Sequence, residues 1–110
     1  MRRRHALGLV LVGPLALLAR AASALPSSSN GAVTIYGASW CGPCKILERG
    51  LKERDIPFEI IDIDRSPESF ERAKQATGSS SIPQTCVSRG SDTTWIIGAD
   101  IAAVERAYRG

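Results

Sequence analysis

Cys41 and Cys44 stand three residues apart, directly after a β-prone run and at the start of a stretch with helical spacing. Two thiols so spaced at a helix start can close a small disulfide ring without large backbone movement. The first lies at the helix N-terminus, where free N–H groups and the helix dipole stabilise an anion. This lowers the pKa of Cys41, and the thiolate is the attacking species in disulfide exchange. A two-step cycle follows: Cys41 attacks a substrate disulfide, then Cys44 attacks Cys41, releasing reduced substrate and leaving a Cys41–Cys44 disulfide. Pro43 fixes one torsion inside the ring and removes a donor. Trp40 is placed to shield the pair and to offer partners a flat apolar surface. Half of a zinc site is the competing reading. It needs two further ligands, and beyond residue 24 the chain has no His and only Cys86 as another Cys, so no metal is expected.

The rest of the chain supplies a frame for that pair. Val33 and Ile35, with Thr34 and Tyr36, make a short strand ending at Gly37. A helix follows from the cysteines to about Arg54, with Ile46, Leu47 and Leu51 on one face. Gly50 inside it costs about 1 kcal/mol relative to Ala. Phe58–Ile63 is the second strand. Ser66 reads as an N-cap with Pro67 at the first helical position, and Phe70, Ala73 and Thr77 share a face before Gly78. Gln84–Val87 and Thr94–Ile97 are short strands around a Gly turn, and a last helix from Asp100 turns Ile101, Val104 and Tyr108 inward. The expected order is β-α-β-α-β-β-α, a four-stranded mixed α/β sheet with helices on both faces. Few aromatic residues make the core mostly aliphatic, and 110 residues allow one modest domain.

The formal charge of +3 divides unevenly. Residues 1–24 hold Arg2, Arg3, Arg4 and Arg20 and no acid; the remainder is nearly neutral and leaves no basic stripe for nucleic acid. Residues 1–24 read as a signal peptide: a charged start, an apolar run from Ala6 to Ala19, and Ala22-Ser23-Ala24 as a cleavage site. The run is short of the roughly 20 residues of a membrane-spanning helix, and Pro14 interrupts it; an uncleaved membrane anchor is the alternative. Residues 25–31 are a linker and 32–110 the folded domain.

Trp40-Cys41-Gly42-Pro43-Cys44-Lys45 resembles the active-site motif of thioredoxins, and Ser81-Ile82-Pro83 resembles the cis-proline loop shared by thioredoxins and glutaredoxins. Ile82-Pro83-Gln84 and Ile97-Gly98-Ala99-Asp100 are more similar to glutaredoxins in length and order. The resemblance runs from about Val33 to Arg109 and implies the thioredoxin fold. It implies that Cys41 and Cys44 are a redox-active pair, and that Pro83 is cis and faces it. The Ile82 backbone would then pair with a bound peptide or glutathione, and Trp40, Gly42 and Pro43 would complete the substrate-binding rim. Ala38 stands where glutaredoxins commonly carry a Lys for a glutathione carboxylate. Ile35 stands where thioredoxins carry a buried Asp.

The expected activity is therefore thiol–disulfide exchange on protein disulfides, most simply as a reductase. The alternatives are a glutathione-dependent glutaredoxin, a disulfide oxidase, or a dithiol metal-delivery module. No cofactor is expected beyond glutathione as a co-substrate. The expected partners are protein disulfides and a membrane-bound or soluble electron donor, not nucleic acid, with the chain a monomer outside the cytoplasm in the periplasm. Cys86 is expected as a small buried side chain, Asp100 as a helix cap, Lys45 as a surface Lys or an aid to Cys41 ionisation, and Glu59, Asp62 and Asp64 as solvated edges.

Overall fold

The computed structural model describes residues 30–110. The signal segment, its cleavage point after Ala24 and most of the linker lie outside the described residues. Seven elements follow in order: β1 (Ala32–Gly37), α1 (Gly42–Glu53), β2 (Glu59–Asp62), α2 (Pro67–Thr77), β3 (Gln84–Arg89), β4 (Asp92–Ile97) and α3 (Ile101–Arg109). The sheet order is β2-β1-β3-β4, with β2 parallel to β1 and the other two pairings antiparallel. This is the mixed sheet expected from the sequence. A strand–helix–strand unit places β1 beside β2 in parallel, and the closing hairpin supplies the antiparallel edge.

Strand limits differ from the sequence reading for reasons of pairing. The β3–β4 hairpin is longer than expected, because Arg89 pairs with Asp92 across the tight Gly90-Ser91 connection and draws polar residues into the ladder. Gly90 has φ 60°, the left-handed conformation such a connection demands. At the other edge β2 is shorter, since its pairing with β1 runs only from Glu59 to Asp62.

Alternation along β1 buries Val33, Ile35 and Gly37 toward α1 and α3. Leu47, Leu51, Ile56, Val87, Ile96, Val104 and Tyr108 complete that core. On α1 the buried stripe is Cys44, Leu47, Gly50 and Leu51. Ile46, expected inside, is 50% exposed, because its one-residue offset from Leu47 rotates it about 100° off the stripe. Ala73 is the buried residue of α2, which ends at Gly78 with φ 73°. Ser66 starts this helix, but its side chain makes no capping bond. The turn before α2 is held instead through Asp62, whose carbonyl accepts from the Ser66 N–H at 2.9 Å.

Two contacts join α1 to α3. A Cβ on Gly50 would lie 2.8 Å from Ile101 Cγ1 and 3.2 Å from its Cγ2, so the glycine lets the two helices approach closely. Beside it, Glu105 accepts from Arg54 Nε at 3.1 Å and Arg109 Nε at 2.9 Å, while an Arg109 Nη2–H donates to the Arg54 carbonyl. The Arg109 hydrogen bond, helped by both guanidinium charges, holds the Glu105 carboxyl below its ordinary value of 4.5.

Gly50→Ala should lower the unfolding free energy by about 1–2 kcal/mol. The collision with a β-branched neighbour exceeds the gain of up to about 1 kcal/mol in helix propensity. Equilibrium denaturation reads it, and a stabilised variant would refute the close approach. Glu105→Gln should cost stability at neutral pH and become neutral in acid. A depressed carboxyl pKa stabilises the fold above the unfolded value, and the contribution is lost as pH falls through the lower folded value. The difference between variant and parent should therefore close below about pH 4.5; a pH-independent difference would contradict the ion pairing.

Candidate active site

β1 delivers the chain to the site, and its last residue is sterically constrained. A Cβ on Gly37 would lie 2.9 Å from Cys44 Sγ and 3.4 Å from Cys44 Cβ. After Gly37 the chain turns, with the Cys41 N–H donating to the Ala38 carbonyl at 3.1 Å. Cys41 is the N-cap of α1: its backbone is extended (φ −90°, ψ 109°), and its Sγ accepts from the Cys44 N–H at 3.1 Å. The sulfur occupies the place that a Ser or Asp oxygen takes in an ordinary cap. No acidic residue stands in the first turn. Cys41 and Cys44 are joined as a disulfide with Cα atoms 5.3 Å apart, inside the usual range. Both are buried, Cys44 completely, and they pack with Ala38 and the half-buried Ile63 and Ile82.

The second wall is the loop before β3. The Ile82–Pro83 peptide is cis, Pro83 is buried, and the Pro83 carbonyl accepts from the Gly98 N–H at 2.8 Å. Buried Gln84 fixes this loop to α2: Nε2 donates to the Ser79 carbonyl at 2.6 Å, and Oε1 lies 3.0 Å from the Thr77 hydroxyl. The Ser79 N–H returns a bond to that hydroxyl, and Ser81 N–H donates to Ser79 Oγ. Sequence reasoning singled out Pro83 and overlooked this bracket. The signal was available, since Gln84 is polar at the head of a strand that is otherwise central.

The third wall corrects an expectation. Asp64 is no idle solvated edge: its Oδ2 accepts from Trp40 Nε1 at 2.8 Å. The carboxylate is itself placed by a turn in which Asp62 Oδ1 accepts from the Asp64 N–H at 2.9 Å. Trp40 remains 67% exposed, so it stands as an apolar rim rather than a cover. Gly42 and Pro43 lie exposed beside it, making a shallow surface rather than a pocket. Lys45 pairs with Glu48 at 3.5 Å. Asp100 caps α3, its Oδ1 accepting from the Ala103 N–H at 3.0 Å. Cys86 is half-buried on the sheet face opposite Thr85 and Val87, its Sγ 4.0 Å from Ser88 Oγ, and takes no part in this site. Among the described residues no group of three His, Cys, Asp or Glu is arranged to hold a metal ion.

The chain matches the glutaredoxin family model over residues 33–90. It is 30% identical to thioredoxin-2 of Saccharomyces cerevisiae over 91 residues, covering 77% of this chain and 84% of that one. It is 32% identical to mycoredoxin 1 of Corynebacterium glutamicum over 72 residues, 64% of this chain and 89% of the relative. Among solved structures it superposes on the glutaredoxin-like NrdH-redoxin of Escherichia coli with TM-score 0.56 and 27% identity, covering 71% and 96% of the two chains.

Removing the carboxylate in Asp64→Ala should free the Trp40 ring with little loss of fold. One exposed hydrogen bond is worth about 0.5–1.5 kcal/mol. With Trp95→Phe as background, Trp40 fluorescence anisotropy should fall while the denaturation midpoint moves little. Unchanged anisotropy would mean that packing, not this bond, orients the ring.

Proposed function

The chain belongs to the glutaredoxin family and is a thiol–disulfide oxidoreductase; from that premise we propose that it acts as an exported reductase of protein disulfides through Cys41 and Cys44. The observation that carries this reading is the asymmetry of the pair. Cys41 Sγ caps α1 and receives a backbone N–H, while Cys44 is sealed beneath it. A thiolate at Cys41 is favoured by that donor and by the helix dipole, and this is the electronic requirement of an attacking sulfur.

In the reductive half-cycle the Cys41 thiolate attacks one sulfur of a substrate disulfide. A Cys41–substrate disulfide forms, and the other substrate sulfur leaves with the electron pair and takes up a proton. Cys44, deprotonated, then attacks Cys41 Sγ, expels the second substrate thiolate and closes the intramolecular disulfide. Two electrons have passed to the substrate, and a dithiol donor must return them. The shallow rim of Trp40, Gly42, Pro43 and Ile82, with Ile82 packed against the disulfide, suits an extended segment of a folded protein better than an enclosed small molecule. Ala38, apolar and buried, offers no charge to a glutathione carboxylate.

The direction of flow rests on the Cys-Gly-Pro-Cys motif, which in thioredoxin accompanies a potential of about −270 mV. The Escherichia coli NrdH-redoxin, similar in structure, is described as glutaredoxin-like with a thioredoxin-like activity profile. Export rests on residues 1–24, and an oxidising compartment would make a dedicated electron donor necessary.

The potential of the Cys41–Cys44 pair, titrated in residues 25–110 against glutathione and dithiothreitol, tests the direction. A value near −270 mV is expected, and one near −120 mV would make the protein an oxidase instead. In dithiothreitol-driven insulin reduction, Cys41→Ser should fall to background, and Cys44→Ser should accumulate a mixed disulfide visible by mass. Full turnover by the Cys44→Ser variant on glutathionylated substrate would instead favour a glutathione-dependent glutaredoxin.

A further inference from the structure

Thr85 has the one buried side-chain polar atom among the described residues that finds no hydrogen-bond partner. The residue is 0% exposed and is the second residue of β3. Leaving a hydroxyl so placed is costly, since a buried donor without an acceptor forfeits its hydration. A Val would fill the same space without that cost, so the position calls for an explanation.

Its location supplies one. Thr85 pairs with Ile35 on β1 and with Ile96 on β4, both core-facing, so its side chain faces the same core. Two residues before Thr85, just ahead of β3, stands Pro83 of the cis Ile82–Pro83 peptide, and Ile82 packs against the disulfide. Two residues along the same face of β1 from Ile35 stands Gly37, whose Cβ position is 2.9 Å from Cys44 Sγ and 3.9 Å from Ile35 Cγ2. Cys44 therefore packs against the end of the sheet face that Gly37, Ile35 and Thr85 share, and of these three only Thr85 carries a polar side chain. With the disulfide closed, Cys44 Sγ is committed to Cys41 and the hydroxyl is unpaired.

We propose that Thr85 is a positioning residue for the buried sulfur: its hydroxyl donates to Cys44 when the disulfide opens, and so stabilises the dithiol over the disulfide. The inference rests on the reading of Cys41 and Cys44 as the redox pair. In the opening step a donor thiolate attacks Cys41 Sγ, the Cys41–Cys44 bond breaks, and the electron pair stays on Cys44. That sulfur, sealed from water, gains the Thr85 O–H as a hydrogen-bond donor, and Thr85 neither loses nor gains a proton overall. A second thiolate of the donor then releases Cys41 and leaves as the donor disulfide. Both electrons and both protons come from the dithiol donor.

The test is the dithiol–disulfide equilibrium of the parent, Thr85→Val and Thr85→Ser, each measured against glutathione, with denaturation midpoints for both redox forms. Thr85→Val relieves the oxidised form of an unpaired hydroxyl and deprives the reduced form of a bond, so both effects favour the disulfide. The equilibrium should move toward the disulfide by about tenfold, equivalent to about 30 mV more reducing. The oxidised form should become more stable and the reduced form less so. Thr85→Ser, which keeps the hydroxyl, should stay within about twofold of the parent. A potential unchanged in Thr85→Val, with both redox forms stabilised alike, would overturn the proposal. So would a Ser variant that shifts as far as Val. The measurement reads the protein's own cysteines, so a failure to reduce insulin would count against the reductase reading while this comparison kept its meaning.

Discussion

The burial of Cys44 against β1 is the contact on which the site depends. The sulfur lies where a side chain on Gly37 would be, so β1 must end in a residue without one. Cys44 is the third residue of α1 and fully buried, which sets the rotation of the helix: Leu47 and Leu51 then fall on the core, and Ile46 falls on the outside. Cys41, at the cap, comes to the rim as a geometric consequence. A helix cannot bury its third residue against a sheet and also bury its exposed first turn, so Gly42 and Pro43 stay in solvent. The difference between an outer, donor-facing sulfur and an inner, sealed one is thus built in by a single helix start.

Three loops meet at that start, and each is held by one polar side chain placed away from the sulfurs. Asp62 folds the turn that carries Ile63 under the pair and Asp64 to Trp40. Gln84 binds the Ser79 carbonyl and so fixes the segment leading to Ile82 and Pro83. Asp100 caps α3 two residues after Gly98, whose N–H holds the Pro83 carbonyl. Gln84 is buried, Asp62 half-buried and Asp100 exposed, and all three order the loops without covering the disulfide between them.

What could be read in the sequence follows from how local each feature is. The Cys-Gly-Pro-Cys turn, Pro67 and Gly78 at the ends of α2, and the Asp100 cap are decided within four residues, and the structure has them as expected. The order of elements and the mixed sheet were legible because the crossover rule leaves few alternatives. The bond between Trp40 and Asp64 spans 24 residues, and the fit of Ile101 against Gly50 joins two helices. No local pattern announces either. Gly50 looked like a defect in a helix, whereas the structure makes it the clearance for α3. Ser66 shows the reverse error: a good cap residue by type, its oxygen unused because Asp62 had already organised the turn.

These observations together separate two demands on the same few residues. The fold needs an apolar seat under Cys44, and the chemistry needs that sulfur to bear charge for a moment. Cys41 meets its need with a backbone N–H supplied by the helix itself, independent of side-chain identity. Cys44, one turn further in, has its own amide spent on that bond and lies among Ala38, Ile63 and Ile82. Any polar help for the inner sulfur has to come from a side chain in the sheet beneath it. Ile35 leaves the core face of β1 with none, which makes the chemistry of the neighbouring β3 the place where sequence can tune the pair without touching the rim of Trp40, Gly42 and Pro43.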